Sequence, residues 1–248
     1  MIKRITLKQV VIYLLIIFFV GGSVFISWAE NAAPADDIAL QALKSDELVV
    51  VKEESGLITF EPLNAQYVTG FIFYPGGRVD YRAYAPVLHQ IAARGYFVAL
   101  VPVPLNLAFF NVNAADRVIG LFPHIQNWVV GGHSLGGVAA SSFVSKNQDA
   151  VAGLVLWASY PADNSLVNST IKVISIYGSN DKTSMESFER SRMQLPAGTQ
   201  FVMIEGGNHA QFGSYRLQAG DMPATISPEE QWTQIVDATV QFLGSLGK

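Results

Sequence analysis

The segment Gly132–Gly136, with the sequence GHSLG, places a serine between two glycines. A short apolar run, Trp128–Val130, precedes it, and a small-residue stretch typical of a helix follows it from Gly137 to Ser145. This G-x-S-x-G pattern between a strand and a helix is what a nucleophile elbow requires, because glycines avoid the collisions that side chains would make in so tight a turn. The pattern predicts Ser134 at the carboxyl edge of a sheet. There the backbone N–H of Leu135 and the positive end of the helix can face a developing negative charge.

A serine hydroxyl needs a base that takes its proton. The chain has four histidines. His133 is expected to point away from the neighbouring serine, His89 lies in an amphipathic stretch, and His124 lies in a loop. His209 follows a strand-like run, Gln200–Ile204, in a glycine-rich loop. Enzymes built around this turn have the chain order Ser, acid, His, so His209 is the predicted base.

The acid that orients the base is expected on a loop after an intervening strand. Residues 172–177 (KVISIY) predict that strand, and Asp181 follows in the loop GSND. Its task is to accept the second ring N–H of His209 and to stabilise the imidazolium. Asp163, which follows the preceding strand, is the alternative. Glu205 is close to His209 in sequence but is expected to face solvent.

Four segments carry a resemblance to a known family. They are Phe73–Gly77, Gly131–Gly137, Gly178–Asp181 and Gly206–Gly213. On these segments the chain resembles the α/β-hydrolase superfamily, and most closely its small lid-less bacterial members. The resemblance covers roughly Leu57 to Leu246. It implies the fold and the Ser134, Asp181 and His209 triad, but it implies a substrate only loosely because the superfamily hosts many chemistries.

The chain departs from the resemblance at the first oxyanion donor. Many relatives have His-Gly before that donor, where this chain has Pro75-Gly76. The backbone N–H of Gly77 is the donor expected by position, and Arg78 is the alternative. The second expected donor is the backbone N–H of Leu135.

The loops around the predicted site are short and apolar. Superfamily lids are usually inserted after the strand that follows the elbow helix, and here only residues 159–171 are available, which is too few for a lid domain. The site is therefore expected to be open and suited to an acyl chain or an aromatic ester. Packing in the core or at a membrane-proximal surface is the alternative role for these side chains. The candidate substrate-binding residues are Leu107, Phe109, Tyr160 and Phe212.

These residues predict a serine esterase that transfers an acyl group to water through an acyl-enzyme. The expected substrate is a small-molecule or lipid ester. An acyltransferase that uses the same site and a non-catalytic, surface-anchored binding module are the alternatives. The chain has no cysteine, which excludes disulfides and cysteine nucleophiles and argues against the dienelactone-hydrolase variant of the resemblance. No metal site or cofactor is expected, since the histidines are scattered and H-E-x-x-H is absent.

Composition is consistent with one compact catalytic domain. Half of the 248 residues are apolar and 15% are charged, which allows a substantial core. The net charge of −4 gives no reason to expect a nucleic-acid partner. The sequence leaves the oligomeric state open.

The N-terminus contains an intensely apolar segment. Lys3, Arg4 and Lys8 precede an uncharged run from Gln9 to Ala29, and acidic residues follow it. The run is long enough to span a bilayer, which takes ~20 residues, and the charge asymmetry predicts a cytoplasmic N-terminus and an extracytoplasmic enzyme. Residues 27–29 (SWA) also fit a signal-peptide cleavage site, which would make the protein secreted. The length of the run favours an uncleaved anchor.

The remaining pattern predicts an α/β fold. Residues 1–29 are expected to form the anchor or signal segment, residues 30–47 a linker or short helix, and residues 48–248 the catalytic domain. Apolar runs at 48–51 and 57–60 around a turn at 54–56 indicate an early hairpin. Strands and helices then alternate, which favours a mostly parallel sheet with helices on both faces. Strands are predicted at 70–74, 97–101, 128–131, 151–158, 172–177 and 200–204, and helices at 81–95, 113–122, 137–145, 184–195 and 227–246.

Overall fold

A computed structural model describes residues 6–54, 56–63, 66–181 and 185–246, with only the backbone described for 185–188. Within these described residues, eight strands form one sheet in the order β1-β2-β4-β3-β5-β6-β7-β8. The strands are β1 (Val49–Glu54), β2 (Leu57–Pro62), β3 (Thr69–Tyr74), β4 (Phe97–Leu100), β5 (Asn127–His133), β6 (Gly153–Trp157), β7 (Lys172–Gly178) and β8 (Gln200–Ile204). The helices are α1 (Leu7–Glu30), α2 (Asp37–Gln41), α3 (Ala85–Ala93), α4 (Ala114–Leu121), α5 (Leu135–Lys146), α6 (Met185–Met193) and α7 (Pro228–Leu246).

The sheet is mostly parallel. The β1/β2 and β2/β4 pairs are antiparallel, and the remaining neighbours pair in parallel. The carboxyl ends of β5, β7 and β8 therefore meet at one edge. Those ends carry the turn of Ser134, the loop of Asp181 and the loop of His209.

Both faces of the sheet are covered. Alternate residues of β3 pack into different clusters, Phe71 and Phe73 into one and Ile72 and Tyr74 into the other. Because successive side chains of a strand point to opposite faces, these are the two sides of the sheet. The first cluster includes α3 and α7, and the second includes α4 and α5. The predicted architecture, a mostly parallel sheet with helices on both faces, is confirmed, and no lid domain interrupts the described residues.

One helix differs from its predicted span. The pattern at 81–95 predicts a single helix, but Tyr81–Tyr84 forms a 3₁₀ helix and α3 begins at Ala85. Pro86 explains the break, since proline has no N–H to donate to the carbonyl one turn earlier. The other helices and strands lie within a few residues of their predicted bounds. Ser184, at the predicted start of α6, and Ser55, in the predicted hairpin turn, lie outside the described residues.

Most of the N-terminal helix is exposed. Helix α1 begins at a capping box in which Thr6 and Gln9 exchange hydrogen bonds, and among its residues only Ala29 is buried. It is long and apolar enough to cross a membrane, a test that a signal sequence also passes.

The segment after α1 lies against the domain instead of crossing open solvent. Residue Ala33 forms a β-bridge with Val79, and Ala35 forms one with Tyr215. The side chain of Asp36 caps α2 and accepts a hydrogen bond from Ser214 Oγ at 2.7 Å. The predicted linker therefore connects the end of α1 to the loop that follows His209.

Candidate active site

The turn at Ser134 has the geometry that the glycine pattern predicts. Ser134 lies between β5 and α5, as the N-cap of α5, with φ 50° and ψ −120°, a left-handed conformation that is costly for a residue with a side chain. A Cβ at Gly132 would lie 2.5 Å from the carbonyl carbon of Gly136. A Cβ at Gly136 would collide with the carbonyl oxygens of Tyr74 and Pro75. Only glycine fits at positions 132 and 136, two residues before and two residues after the serine.

Replacing Gly136 with alanine is expected to destabilise the fold. The new methyl group meets backbone atoms, which cannot rotate away, so the free energy of unfolding should fall by about 1–3 kcal/mol or more. A domain of this size should then lose roughly 2–4 °C in Tm per kcal/mol. Gly120→Ala is the matched control, since a Cβ there has nothing within 4 Å. Equal melting temperatures for the two variants in a thermal unfolding experiment would contradict the steric argument.

Asp181 and His209 are joined directly. The Nδ1 atom of His209 lies 3.0 Å from Oδ2 of Asp181, and both side chains are partly buried. Burial acts to lower the pKa of His209, but the hydrogen bond and the negative charge of Asp181, helped by the charge of Asp221, raise that pKa above its ordinary value. A carboxylate in this position orients the ring and leaves Nε2 for another partner.

The loops that carry this pair are tied to each other. Asn180 N–H donates to the carbonyl of Gly207 at 2.8 Å, and Gly206 N–H donates to Ser179 Oγ at 2.8 Å. Gln231 of α7 bonds both backbone polar groups of Asn208, at 3.0 and 2.8 Å. These hydrogen bonds therefore fix the positions of the two loops relative to each other, and with them the contact between the Asp181 and His209 side chains.

Ser134 faces the same cleft as this pair. In the described part of the chain no hydrogen bond joins the Ser134 hydroxyl to His209. Such bonds often form only when substrate is bound. The residues that line the cleft are Ser134, Leu135, Val138, Ala158, Ser159, Tyr160, Asp181, His209 and Asp221.

The alternative acid is not in the cleft. Asp163 is exposed and accepts a hydrogen bond from the backbone N–H of Ser165. Glu205 is exposed, as expected, and accepts a bond from Ser179 Oγ at 3.3 Å. Neither carboxylate lines the cleft that Ser134 faces, so the structure places Asp181 alone of the three candidates beside His209.

The backbone amides near Ser134 differ in whether they already donate a hydrogen bond within the protein. Arg78 N–H donates to the carbonyl of Asn106 at 2.8 Å, and Gly76 N–H donates to the Tyr84 hydroxyl at 3.0 Å. Both amides, including that of the alternative donor Arg78, therefore already have an acceptor within the protein. The amides of Gly77 and Leu135 have no acceptor among the described residues. Gly77 also lies beside Leu135, since a Cβ on it would be 3.0 Å from Leu135 Cδ2.

Two of the four candidate substrate residues lie outside the cleft. Phe212 is fully buried and stacks on His133, with ring centroids 5.4 Å apart, so its prediction as a lining residue is wrong. Phe109 is exposed but packs on Phe110, with centroids 4.4 Å apart, away from the residues that line the cleft. Apolar loop residues satisfy the same pattern whether they line a cleft, fill the core or face outward, which is why the pattern misassigned them.

The other two candidate substrate residues lie near Ser134 or near the expected oxyanion donor Gly77. Tyr160 lines the cleft and is 46% exposed. Leu107 is buried near Gly77, with its Cδ2 3.8 Å from where a Cβ on that glycine would be. A second, apolar pocket adjoins the cleft and shares Tyr160 and Asp181 with it. Its other apolar members include Tyr177, Leu195, Phe201 and Met203.

Sequence reasoning missed a buried histidine beneath the site. The ring of His133 lies 4.5 Å from that of His209, and its Nδ1 is 2.8 Å from the Tyr84 hydroxyl. Burial, followed by the charge of His209, lowers the pKa of His133 well below its ordinary value, so the ring is neutral at pH 7. Tyr84 also accepts the N–H of Gly76, which connects this buried ring to the loop that carries Gly77.

Ser159 and Asp221 were also missed. Ser159 Oγ donates to the carbonyl oxygen of Ser134 at 2.5 Å and so supports the strained turn. Asp221 lines the cleft and contributes to the raised pKa of His209. A serine after a strand is a weak sequence signal, and Asp221 lies in a loop without periodicity, so no pattern identified it. Among the described residues, no group of three or more His, Cys, Asp or Glu could hold a metal ion.

Comparisons with known proteins agree with this architecture. Residues 70–233 match the sequence profile described as the alpha/beta hydrolase family. A search of curated protein sequences finds no match. Dienelactone hydrolase from Anabaena variabilis superposes with a TM-score of 0.62 at 15% identity, covering 81% of this chain and 99% of its own. A thermostable esterase from Pseudomonas putida gives 0.57 at 14% identity, covering 85% and 87%. Est1E from Butyrivibrio proteoclasticus gives 0.56 at 12% identity, covering 80% and 98%. At these identities the likeness concerns the fold.

Proposed function

Because the chain belongs to the alpha/beta hydrolase family, we propose that it is a serine hydrolase that cleaves carboxylic esters. Ser134 is the nucleophile, His209 is the general base and acid, and Asp181 orients His209. The observation that carries the proposal is the 3.0 Å contact between Asp181 and His209 in the cleft that Ser134 faces. Three groups of these types are what activation of a hydroxyl needs. Structural neighbours described as esterases support an ester as the substrate.

The reaction proceeds in two acyl transfers. His209 Nε2 takes the hydroxyl proton as Ser134 Oγ bonds to the ester carbonyl carbon, and the backbone amides of Leu135 and Gly77 bind the resulting oxyanion. Collapse of this intermediate breaks the bond to the alcohol, which leaves with the proton from His209. Water then attacks the acyl-enzyme with His209 again as base, and the carboxylic acid departs.

Export and anchoring through α1 form the second part of the proposal. The basic residues Lys3, Arg4 and Lys8 precede the apolar run, which supports a cytoplasmic N-terminus and an extracytoplasmic cleft. Ala29, the residue at the possible cleavage site, is fully buried in the folded chain. The length of the apolar run favours an uncleaved helix and a membrane-bound enzyme.

A fluorophosphonate probe tests the proposal most directly. Such probes react with an activated serine, so the full-length protein in detergent should be labelled, and the mass increase should map to the peptide that contains Ser134. Ser134→Ala is the control and should remain unlabelled. Absence of labelling in the folded wild-type protein would favour a binding module and contradict the proposed hydrolase. Turnover of a series of p-nitrophenyl esters then defines the preferred acyl length.

A further inference from the structure

The end of α1 is fastened to the loop that carries Gly77. The Arg78 guanidinium donates to the carbonyl of Trp28 at 2.9 Å and to that of Asn31 at 2.8 Å. It also lies 4.6 Å from the centre of the Trp28 ring. Asn106 Nδ2 donates to the carbonyl of Ala29 at 3.4 Å. The last carbonyls of a helix have no partner within it, so here the catalytic domain supplies their donors.

Four exposed aromatic rings surround this junction. We call them the aromatic patch: Phe25 and Trp28 of α1, and Phe109 and Phe110 of the loop after β4. Their exposed fractions are 39%, 48%, 50% and 48%. The ring of Phe25 is 5.9 Å from that of Trp28 and 6.3 Å from that of Phe110, and the rings of Phe109 and Phe110 are in tilted contact with centroids 4.4 Å apart. The patch therefore continues the exposed apolar surface of α1 onto the catalytic domain.

The depth of the patch follows from the length of α1. Its 24 residues rise about 36 Å at ~1.5 Å each, slightly more than the ~30 Å hydrocarbon core of a bilayer. Phe25 and Trp28 thus fall at the end of the span, where aromatic rings are enriched at the lipid–water interface. Residues 101–115, which include Phe109 and Phe110, carry no charge. No charged side chain of this loop would therefore have to lose water when the loop inserts among lipid headgroups.

The loop that carries Phe109 and Phe110 also approaches Gly77, the proposed oxyanion donor. Leu107 is buried near Gly77, while Phe109 and Phe110, two and three residues later, face outward. From this arrangement we infer that the aromatic patch inserts into the outer interface of the bilayer and that the cleft takes its ester from the membrane. The substrate class is a lipid ester resident in that leaflet. This deepens the proposed ester hydrolysis, on which the substrate assignment rests, whereas insertion of the patch is independent of it.

Fluorescence tests the insertion without any activity. The chain has no cysteine, so a single Phe109→Cys can be labelled with an environment-sensitive fluorophore in the full-length protein. In phosphatidylcholine–phosphatidylglycerol vesicles its emission should shift to the blue, and lipids spin-labelled near the headgroup should quench it. Leu121→Cys is the control, since Leu121 is 54% exposed but precedes β5 at the opposite edge of the sheet, and its label should stay in water. Equal accessibility of both labels to aqueous iodide would overturn the insertion.

The same measurement separates a lipid surface from a second copy of the chain. Burial by a partner copy would also shift the emission, but lipid quenchers would not reach the label, and the shift would fade as protein is diluted in lipid. That outcome would overturn the inference as well.

Activity tests where the substrate comes from. The double variant Phe109→Ser/Phe110→Ser loses two apolar contacts with the bilayer. The ratio of its activity on a vesicle-embedded long-chain ester to its activity on dissolved p-nitrophenyl acetate should fall by about tenfold or more relative to wild type. Leu121→Ser should leave this ratio unchanged, and an unchanged ratio in the double variant would overturn delivery from the membrane. Absence of activity on both esters in the wild type would instead contradict the proposed function, while the fluorescence result would stand.

Discussion

Replacing Ser134 with alanine is expected to lower kcat for ester hydrolysis by about 10⁶-fold, the scale on which a triad loses its nucleophile. The alanine cannot form the acyl-enzyme, and only oxyanion binding and positioning remain. Steady-state turnover of p-nitrophenyl esters measures the loss.

The fold should survive this substitution. The backbone at Ser134 has φ 50°, and alanine meets the same steric cost there as serine. Ser142→Ala is the matched control, because it makes the same chemical change two turns into α5, the helix that Ser134 caps. It should keep wild-type turnover. Wild-type turnover in Ser134→Ala, at an unchanged Tm, would disprove nucleophilic catalysis by this residue.

Replacing Asp181 with asparagine is expected to lower kcat by about 10⁴-fold. The amide cannot stabilise the imidazolium and can hold the ring in the wrong tautomer. His209 Nδ1, 3.0 Å from Asp181 Oδ2, is the atom affected. Asp163→Asn is the control: that carboxylate is exposed and lies outside the cleft, so turnover should be unchanged.

The pH dependence of the Asp181→Asn variant gives a second, independent readout. His209 acts as a base only when neutral, so kcat/KM should fall as pH drops through its pKa, which Asp181 raises above 6.5. Asparagine removes the hydrogen bond to a charge and the charge itself, and burial then lowers the pKa. The acid limb of the residual activity should therefore move to lower pH. An acid limb that stays in place would show that Asp181 does not control the protonation of His209.

The elements of the site that depend on local pattern were predictable. Glycines at 132 and 136, with an apolar run before them and small residues after, leave few alternatives to a strand, a tight turn and a helix. The loops of Asp181 and His209 follow apolar strands, and carboxyl ends of parallel strands share an edge, so their proximity followed from chain order. Their catalytic roles stay predictions until turnover is measured.

The elements that depend on tertiary packing were not predictable. Phe109 and Phe212 are equivalent as sequence signals, yet one faces outward and the other is fully buried. A loop has no repeating geometry that assigns its side chains to a face. His133 was expected only to avoid the serine, and its contact with His209 depends on a crossing of two distant segments. The bonds of Arg78 to the end of α1 likewise connect residues about fifty positions apart.

The contact between Asp36 and Ser214 joins positions 178 apart in the chain, close after α1 at one end and after His209 at the other. In a protein anchored by α1, this bond and the β-bridges beside it fix the tilt of the cleft relative to the membrane plane. Under the proposed anchoring and the proposed hydrolysis of a lipid ester, the protein would meet its substrate by lateral diffusion in two dimensions. Its working rate would then be set by the mole fraction of the lipid in the leaflet, and the bulk concentration would have little influence on it.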